Sequence, residues 1–291
     1  MTLRRIQVLL AAIVFLPSGI ACEAKPKPKA SEAANELPMD LYAGYLVVVQ
    51  GSIGDFHGLK FLLDTGATTT TIDRKLADKL HVPRRPGQVI SFDKSVRVEW
   101  SELPEFAYGP EHFSNVPVVV QDMSYFLTVG VHLDGMIGWD LLRRGSFRLE
   151  FARKCVVFGP SEKIEGRAAP MRPDALFLTV QVDMNGRPMS MIADTGMLGT
   201  AFYEGSLREV RESYKPKTYA IGRSIGGAVK SRSVLVPRLR LGTQELDREV
   251  YLLQRPDSVS LRGVAGYLGI SALEAKEITF DFERNELRWN K

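Results

Sequence analysis

The chain contains the stretch Leu62-Leu63-Asp64-Thr65-Gly66 and repeats its pattern in Ile192-Ala193-Asp194-Thr195-Gly196. In each stretch an Asp-Thr-Gly tripeptide follows two apolar residues that are typical of a buried strand. A single Asp-Thr-Gly is expected by chance in roughly one chain in twenty of this length, at average residue usage. Two copies in the same context therefore indicate a duplication within the chain.

Further features recur at nearly the same spacing. The two aspartates lie 130 positions apart, and the triplet Met136-Ile137-Gly138 precedes its counterpart Tyr267-Leu268-Gly269 by 131 positions. The segment 146–151 matches the segment 277–282, again at a spacing of 131. A repeat of this length is too long for a solenoid and indicates two copies of a domain.

Strand and turn signals surround both copies of the motif. Apolar runs over residues 45–50 and 59–63 are separated by glycines, and runs over residues 176–184 and 188–193 are separated by Asn185-Gly186. Asn-Gly between two apolar runs is a strong signal for a tight β-hairpin. The sequence therefore predicts an all-β fold in which each copy begins with a hairpin.

The repeat divides the chain into two predicted β lobes, over residues 41–160 and 174–291. Residues 161–173 form the predicted linker between them, because Gly, Pro and charged residues are frequent there. Residues 22–40 form a predicted tether, since alternating Lys and Pro followed by polar residues cannot build an apolar core.

Residues 1–21 are typical of a secretory signal peptide. Arg4 and Arg5 supply its positive charge, and residues 6–16 supply an apolar core that is too short for a permanent membrane-spanning helix. We therefore expect export, with the domain in the periplasm, anchored to the membrane or secreted.

Two ways of processing this leader stay open. Gly19 and Ala21 are small enough for ordinary signal-peptidase cleavage. The segment also resembles a bacterial lipobox, in which the cysteine, here Cys22, is lipidated and becomes the new N-terminus. Gly19 departs from that pattern, which usually has leucine at this position.

Composition argues against several other classes of protein. Apolar residues make up 45% and charged residues 25% of the chain, values typical of a soluble globular protein. The net charge of +4 comes without a basic run interleaved with aromatics, so we expect no nucleic-acid partner. Two cysteines cannot form a disulfide framework, and the four histidines lack the spacing of a zinc site. We therefore expect no metal and no other cofactor.

The two equivalent aspartates predict a specific chemistry. Burying a lone carboxylate at the end of an apolar strand costs free energy unless hydrogen bonds compensate, and the following glycine lets backbone N–H groups approach it. If the lobes pack about a pseudo-twofold axis, Asp64 and Asp194 face each other and share one proton. One carboxylate can then act as general base on a water while the other donates a proton to a substrate carbonyl. Peptide hydrolysis by an activated water, without a covalent intermediate, needs this combination.

The paired motifs, with the later apolar-apolar-Gly triplets, resemble the aspartic proteases of the pepsin and retropepsin superfamily over residues 41–291. The resemblance implies a bilobal, all-β acid protease fold with two lobes related by a pseudo-twofold axis. It also implies that Asp64 and Asp194 form the catalytic dyad. The supporting positions in the family pattern are Thr65 and Thr195, which interlock, Gly66 and Gly196, which open the turns, and Gly138 and Gly269, which pack behind the aspartates.

The residues after the two motifs and the flap candidates refine the resemblance. Ala67, after the first motif, is the residue found in retropepsins, whereas Met197, after the second, is typical of neither branch. Candidates for the flap, the hairpin that closes over substrate, are residues 89–100 and the glycine-rich residues 221–227, and the sequence does not choose between them.

The resemblance implies an aspartic endopeptidase whose substrate is an extended peptide or protein with apolar side chains beside the scissile bond. A second hypothesis is a non-catalytic peptide-binding protein of the same fold, a pseudoprotease. Because one chain supplies both motifs, we expect a monomer.

Overall fold

The structure, a computed structural model, describes residues 35–91, 94–160, 166–207, 215–224, 227–254 and 263–291. The predicted signal peptide and Cys22 lie outside these ranges. Within them, no helix is both long enough and apolar enough to cross a membrane.

The described part of the first half consists mainly of strands. They are β1 (Glu36–Tyr42), β2 (Leu46–Ile53), β3 (Phe56–Leu63), β4 (Thr71–Asp73), β5 (Arg85–Ser91), β6 (Lys94–Tyr108), β7 (Glu111–Gln121), β8 (Gly135–Ile137), β9 (Phe147–Glu150) and β10 (Cys155–Phe158). The helical segments are α1 (Arg74–Leu80), α2 (Trp139–Leu142) and a 3-10 turn over Ser124–Val129.

The second half repeats this arrangement. Its strands are β11 (Arg167–Pro173), β12 (Leu178–Met184), β13 (Arg187–Asp194), β14 (Thr200–Tyr203), β15 (Lys215–Ser224), β16 (Gly227–Leu235), β17 (Leu239–Leu241), β18 (Gln244–Glu245), β19 (Glu249–Leu253), β20 (Val264–Gly269), β21 (Glu277–Asp281) and β22 (Glu286–Asn290). A 3-10 turn spans Ile270–Leu273. The hairpin β12–β13 turns at Asn185-Gly186, where both residues have positive φ, so the predicted tight turn is confirmed.

An antiparallel sheet joins the two lobes, in the order β1-β10-β9-β21-β22-β11. At its centre Phe147 pairs with Phe280 and Leu149 pairs with Ile278. Because the matching segments of the repeat are offset by 131 positions, these two pairs are equivalent by symmetry. The pseudo-twofold axis therefore passes between β9 and β21, where the rings of Phe147 and Phe280 stack with centroids 4.5 Å apart. The predicted all-β, two-lobed fold is confirmed.

The structure differs from the predicted boundaries at two places. The predicted tether, residues 22–40, overlaps β1, and the predicted linker, residues 161–173, overlaps β11. Both strands occupy equivalent edges of the interlobe sheet, where β1 pairs with β10 and β2, and β11 pairs with β22 and β12. Their alternating apolar residues are buried there. These two segments become ordered because both lobes together build the sheet that buries them.

Candidate active site

Each aspartate lies at the C-terminal end of a strand, as its last residue or directly after it, and that strand runs parallel to the strand formed by the apolar residues of the apolar-apolar-Gly triplet. In the first lobe β3 pairs with β8, which places Leu63 beside Ile137. In the second lobe β13 pairs with β20, which places Asp194 beside Gly269. A Cβ added to Gly138 would lie 2.6 Å from the carbonyl carbon of Thr69. One added to Gly269 would lie 2.3 Å from the carbonyl oxygen of Met197. The backbone packing behind each aspartate therefore requires glycine at both positions.

The threonines of the two motifs interlock across the lobe interface. Thr65 Oγ1 donates to the carbonyl oxygen of Ala193 at 2.7 Å, and Thr195 Oγ1 donates to that of Leu63 at 2.6 Å. Each backbone N–H also donates to the other hydroxyl, from Thr65 at 3.0 Å and from Thr195 at 3.1 Å. All four bonds are buried, so they fix the two loops relative to each other.

The carboxylates accept hydrogen bonds from their own loops. Asp64 Oδ1 accepts from the backbone N–H of Gly66 at 2.9 Å and of Ala67 at 3.1 Å, and Asp194 Oδ1 accepts from that of Gly196 at 2.7 Å. The second oxygen of each carboxylate, Oδ2, has no N–H or hydroxyl donor among the described residues. The two carboxyl groups are close enough to hydrogen-bond to each other when one is protonated.

Glycine at position 66 is required by the approach of the second lobe. A Cβ added to Gly66 would lie 2.3 Å from Asp194 Oδ2 and 2.4 Å from Asp194 Cγ. The carboxyl group of one lobe therefore rests on the loop of the other, and no side chain fits between them.

Burial dominates the protonation of the pair. Both aspartates are 0% exposed. Burial raises the pKa of Asp64 well above its usual range, the Asp194 carboxylate raises it further, and the N–H bonds from Gly66 and Ala67 lower it in part. Burial also raises the pKa of Asp194. Because two neighbouring buried carboxylates resist ionising together, the pair holds one proton over a wide pH range.

A family model described as aspartyl protease matches the chain twice, over residues 49–141 and 180–272. The chain belongs to the aspartyl protease family. Each matched segment contains one Asp-Thr-Gly motif and one apolar-apolar-Gly triplet, so the predicted duplication of a retropepsin-like half is confirmed. A search of curated proteins finds no match to the chain.

In this aspartyl protease, different side chains in the two lobes form hydrogen bonds that hold the loops after the aspartates. In the first lobe Asp140 Oδ1 accepts from Thr70 N at 2.9 Å and from Thr70 Oγ1 at 2.8 Å, and that hydroxyl accepts from the backbone N–H of Gly138 at 3.1 Å. In the second lobe Ser271 Oγ accepts from Gly199 N at 2.9 Å and donates to the Met197 carbonyl at 3.2 Å. Burial raises the pKa of Asp140 to about 6.

Sequence reasoning missed Asp140 and Ser271 as supporting residues. Both stand two positions after the glycine of the triplet, at the spacing of 131 that relates the two lobes. Comparing the two copies position by position is the signal that could have found them.

Both candidate flaps contribute to the site. The ends of β5 and β15, next to the hairpin tips, meet where Ser91 Oγ donates to Ser224 Oγ at 3.2 Å, and both side chains are buried. Residues 92–93 and 225–226 of the two candidate flaps lie outside the described residues. Val89 packs in the same apolar cluster as Ala67. Ile90 of the first hairpin and Val229 of the second pack in the cluster that contains Met197. The sequence left open which lobe supplies the cover, and the structure shows hairpins from both lobes packed over the loops that carry the aspartates.

Three tyrosines near the aspartates were not anticipated from the sequence. Burial raises the pKa of Tyr125, and the nearby Asp64 carboxylate raises it further. Tyr203 and Tyr267 are fully buried, with their hydroxyl oxygens 2.9 Å apart. Burial raises the pKa of Tyr267, the neighbouring Tyr203 hydroxyl raises it further, and the Asp194 and Asp64 carboxylates add to the rise. These contacts depend on segments far apart in the chain, and no local pattern marks them.

Proposed function

We propose that this aspartyl protease is an endopeptidase in which Asp64 and Asp194 activate a water for attack on a peptide bond. The observation that carries the proposal is the pair of fully buried carboxyl groups, held by their own loops through Oδ1 and left without N–H or hydroxyl donors at Oδ2. Such a pair supplies a base and an acid at one place.

The hydrolytic step follows from the shared proton. The ionised carboxylate removes a proton from a bound water, whose oxygen forms a bond to the carbonyl carbon, while the protonated carboxyl donates to the carbonyl oxygen. The tetrahedral intermediate then collapses: the C–N bond breaks, a proton passes from the dyad to the leaving nitrogen, and one hydroxyl of the intermediate returns its proton to the dyad as the C=O bond re-forms. The products are a carboxylic acid and an amine. The dyad ends with one proton, as it began.

The remaining parts of the site support this chemistry. The threonine bonds hold the two loops in one geometry, which a reaction between two separate lobes requires. The hairpins β5–β6 and β15–β16 exclude solvent from the carboxyl groups, since both aspartates are completely buried beneath them. An extended peptide would bind between the hairpins and the two aspartate loops once the tips separate.

The test is cleavage of a diverse peptide library by the full-length chain between pH 3 and pH 7, with products identified by mass spectrometry. The Asp64→Asn variant and the wild type with a statine-type inhibitor are run in parallel. We expect internal cuts in the wild type that are absent in both parallel samples. Cuts that persist unchanged in the variant would refute the assignment. Inhibitor binding without any peptide cleavage would refute the endopeptidase and support the second hypothesis, a non-catalytic peptide-binding protein.

We also propose that the chain is exported and acts as a monomer. Export rests on the leader over residues 1–21, and the monomer on the presence of both aspartates in one chain. Mass spectrometry of the protein recovered from fractionated bacterial cells would show either an acylated Cys22 or an unmodified new N-terminus. A protein found in the cytoplasm with its leader intact would contradict export, and a dimer in analytical ultracentrifugation would contradict the monomer.

A further inference from the structure

The first lobe contains a cavity that is separate from the pair of aspartates. Its volume is about 250 Å³, and it is lined by residues 37–40 of β1, residues 48–50 of β2 and Lys60 of β3. Neither Asp64 nor Asp194 is part of its lining. Pockets that hold drug-sized molecules measure about 300–1,000 Å³, so this cavity fits a smaller ligand.

The cavity forms because β1 changes partners along its length. Residues 39–42 pair with β2, whereas residues 36–38 pair with β10 of the interlobe sheet. β2 continues past the point where β1 turns away, and there Gln50 pairs with Lys60 of β3. The departure of β1 therefore leaves an opening in the sheet beside Gln50.

Two side chains of opposite charge lie on opposite sides of this cavity. Asp40 of β1 pairs with Val48 of β2, which in turn pairs with Leu62 of β3. Lys60 lies two residues from Leu62 on the same strand. Because alternate residues of a strand share a face, Asp40, Val48 and Lys60 lie on one face of the sheet. Val48 is buried and separates the two charged side chains.

Both charged groups are available to a ligand. Within the described ranges, neither the Asp40 carboxylate nor the Lys60 ammonium group forms an ion pair or a hydrogen bond. Asp40 is exposed and Lys60 is half-buried. The backbone of Lys60 is held in place by Asp134. Its N–H donates to Asp134 Oδ2, and its carbonyl oxygen accepts from the Asp134 N–H, both at 2.8 Å.

The second lobe lacks this pair of charges. The strand registers make Arg172 the counterpart of Asp40 and Ser190 the counterpart of Lys60. The fold of a lobe thus requires neither an acidic nor a basic residue at these positions. The opposite charges are a property of the cavity in the first lobe.

The spacing of the charges limits the length of the ligand. Asp40 and Lys60 are two strands and two residues apart, which places their Cα atoms about 12 Å from each other. Two linked amino acids span about 7 Å, which leaves room for one side-chain contact at each end. A single amino acid holds its ammonium and carboxylate groups too close together to contact both side chains.

We propose that this cavity binds a dipeptide with both termini free, whose ammonium group contacts Asp40 and whose carboxylate contacts Lys60. Charge-assisted hydrogen bonds at the two ends fix the direction in which the dipeptide lies. Lys60 stands four residues before Asp64, about 13 Å along the strand, so the bound dipeptide does not reach the dyad. The site goes beyond the proposed function and does not depend on it.

The test is isothermal titration calorimetry of the full-length chain with the dipeptide Ala-Ala, its N-acetyl form, its C-terminal amide and free alanine. The acetyl form lacks the ammonium group, and the amide lacks the carboxylate. The variants are Asp40→Asn, Lys60→Gln and Asp64→Asn. Asp55→Asn and Lys79→Gln are the matched controls, because they remove the same charges at exposed positions outside the cavity.

We expect Ala-Ala to bind the wild type with a dissociation constant below about 1 mM, and free alanine to bind more weakly. Blocking either terminus should weaken binding about fivefold or more, since each block removes one charge-assisted hydrogen bond. In Asp40→Asn the acetyl block should change the affinity by no more than about twofold while the amide block keeps its effect. Lys60→Gln should show the reverse, and Asp64→Asn and both controls should bind as the wild type does.

Three results would overturn the proposal. The first is no saturable binding of Ala-Ala at concentrations up to about 10 mM. The second is an equal affinity for the free and the blocked forms. The third is a loss of binding in Asp64→Asn, which would place the dipeptide at the dyad. Because the measurement involves no cleavage, an inactive dyad would refute the endopeptidase and leave this binding site standing.

Discussion

Replacing Thr195 by alanine should destabilise the protein by separating the two aspartate loops. The variant removes the bond from Thr195 Oγ1 to the Leu63 carbonyl and the acceptor of the Thr65 N–H. Both groups stay buried at the lobe interface. Each buried polar group left without a partner costs about 1–3 kcal/mol. Because a carbonyl oxygen can accept a second bond elsewhere, we expect a loss of about 2–4 kcal/mol in the free energy of unfolding.

A matched variant separates the hydrogen bonds from the packing. Thr195→Ser keeps the hydroxyl and removes one buried methyl group, which costs about 1 kcal/mol. Thr65→Ala should resemble Thr195→Ala, because it removes the symmetry-related bonds to Ala193 and from Thr195. Peptidase activity should fall in both alanine variants and be largely kept in the serine variant.

Urea denaturation measures these changes through the fluorescence of Trp139 and Trp289, which are buried in opposite halves of the chain. A loss below about 1 kcal/mol for Thr195→Ala would show that the interlocking bonds contribute little. An equal loss for Thr195→Ser would assign the effect to packing. Either result would refute the role given to the threonine bonds.

Three further predictions follow from the same geometry. Burial raises the pKa of Asp194 above its unfolded value of about 3.9, so this group stabilises the fold most at low pH and the stability is lost as pH rises through the folded pKa. Asp194→Asn should therefore raise the melting temperature at pH 8 but change it little at pH 4. An equal rise in melting temperature at both pH values would contradict the raised pKa of Asp194. Gly66→Ala should reduce activity by about 100-fold or more, since its Cβ would meet the Asp194 carboxylate. Gly205→Ala is the control: no atom lies within 4 Å of its added Cβ, so it should change the free energy of unfolding by less than about 0.5 kcal/mol. A Gly66→Ala variant that keeps wild-type activity would refute the close approach of the Asp194 carboxyl group to Gly66. The double variant Ser91→Cys, Ser224→Cys should form a disulfide under oxidation, because the two Oγ atoms are 3.2 Å apart, and should lose activity until a reductant is added. Full activity of the cross-linked form, with the bond verified by mass spectrometry, would show that the hairpin tips need not separate.

The part of the site that the sequence predicts correctly is the part encoded locally and twice. Asp64 and Asp194 each follow a short apolar run, and the strands that carry them pair as the repeated triplets indicate. The hairpin at Asn185-Gly186 likewise depends on two residues whose backbone preference decides the turn. Because the same local signals occur in both halves of the chain, they together predict a two-lobed fold that neither half alone would predict.

The features that the sequence did not predict depend on contacts between distant segments. β1 and β11 lie in stretches rich in proline and charge, and they become strands because the interlobe sheet offers each an edge. The Ser91–Ser224 contact joins hairpins from different lobes. The Tyr203–Tyr267 pair joins strands 64 positions apart. Local sequence assigns none of these partners, because each depends on how distant strands are placed against each other, within one lobe for the tyrosines and between the lobes for the rest.

The most direct test of the central claim is the kcat/KM of the full-length chain on one identified peptide, compared among the wild type, Asp64→Asn, Asp194→Asn and Glu102→Gln. Glu102 is an exposed carboxylate on β6 and serves as the matched control. We expect each asparagine variant to lose about 10³-fold or more, since each removes one member of the acid–base pair, and Glu102→Gln to remain at the wild-type value. An asparagine variant that stays within about tenfold of the wild type would contradict hydrolysis by this pair of aspartates.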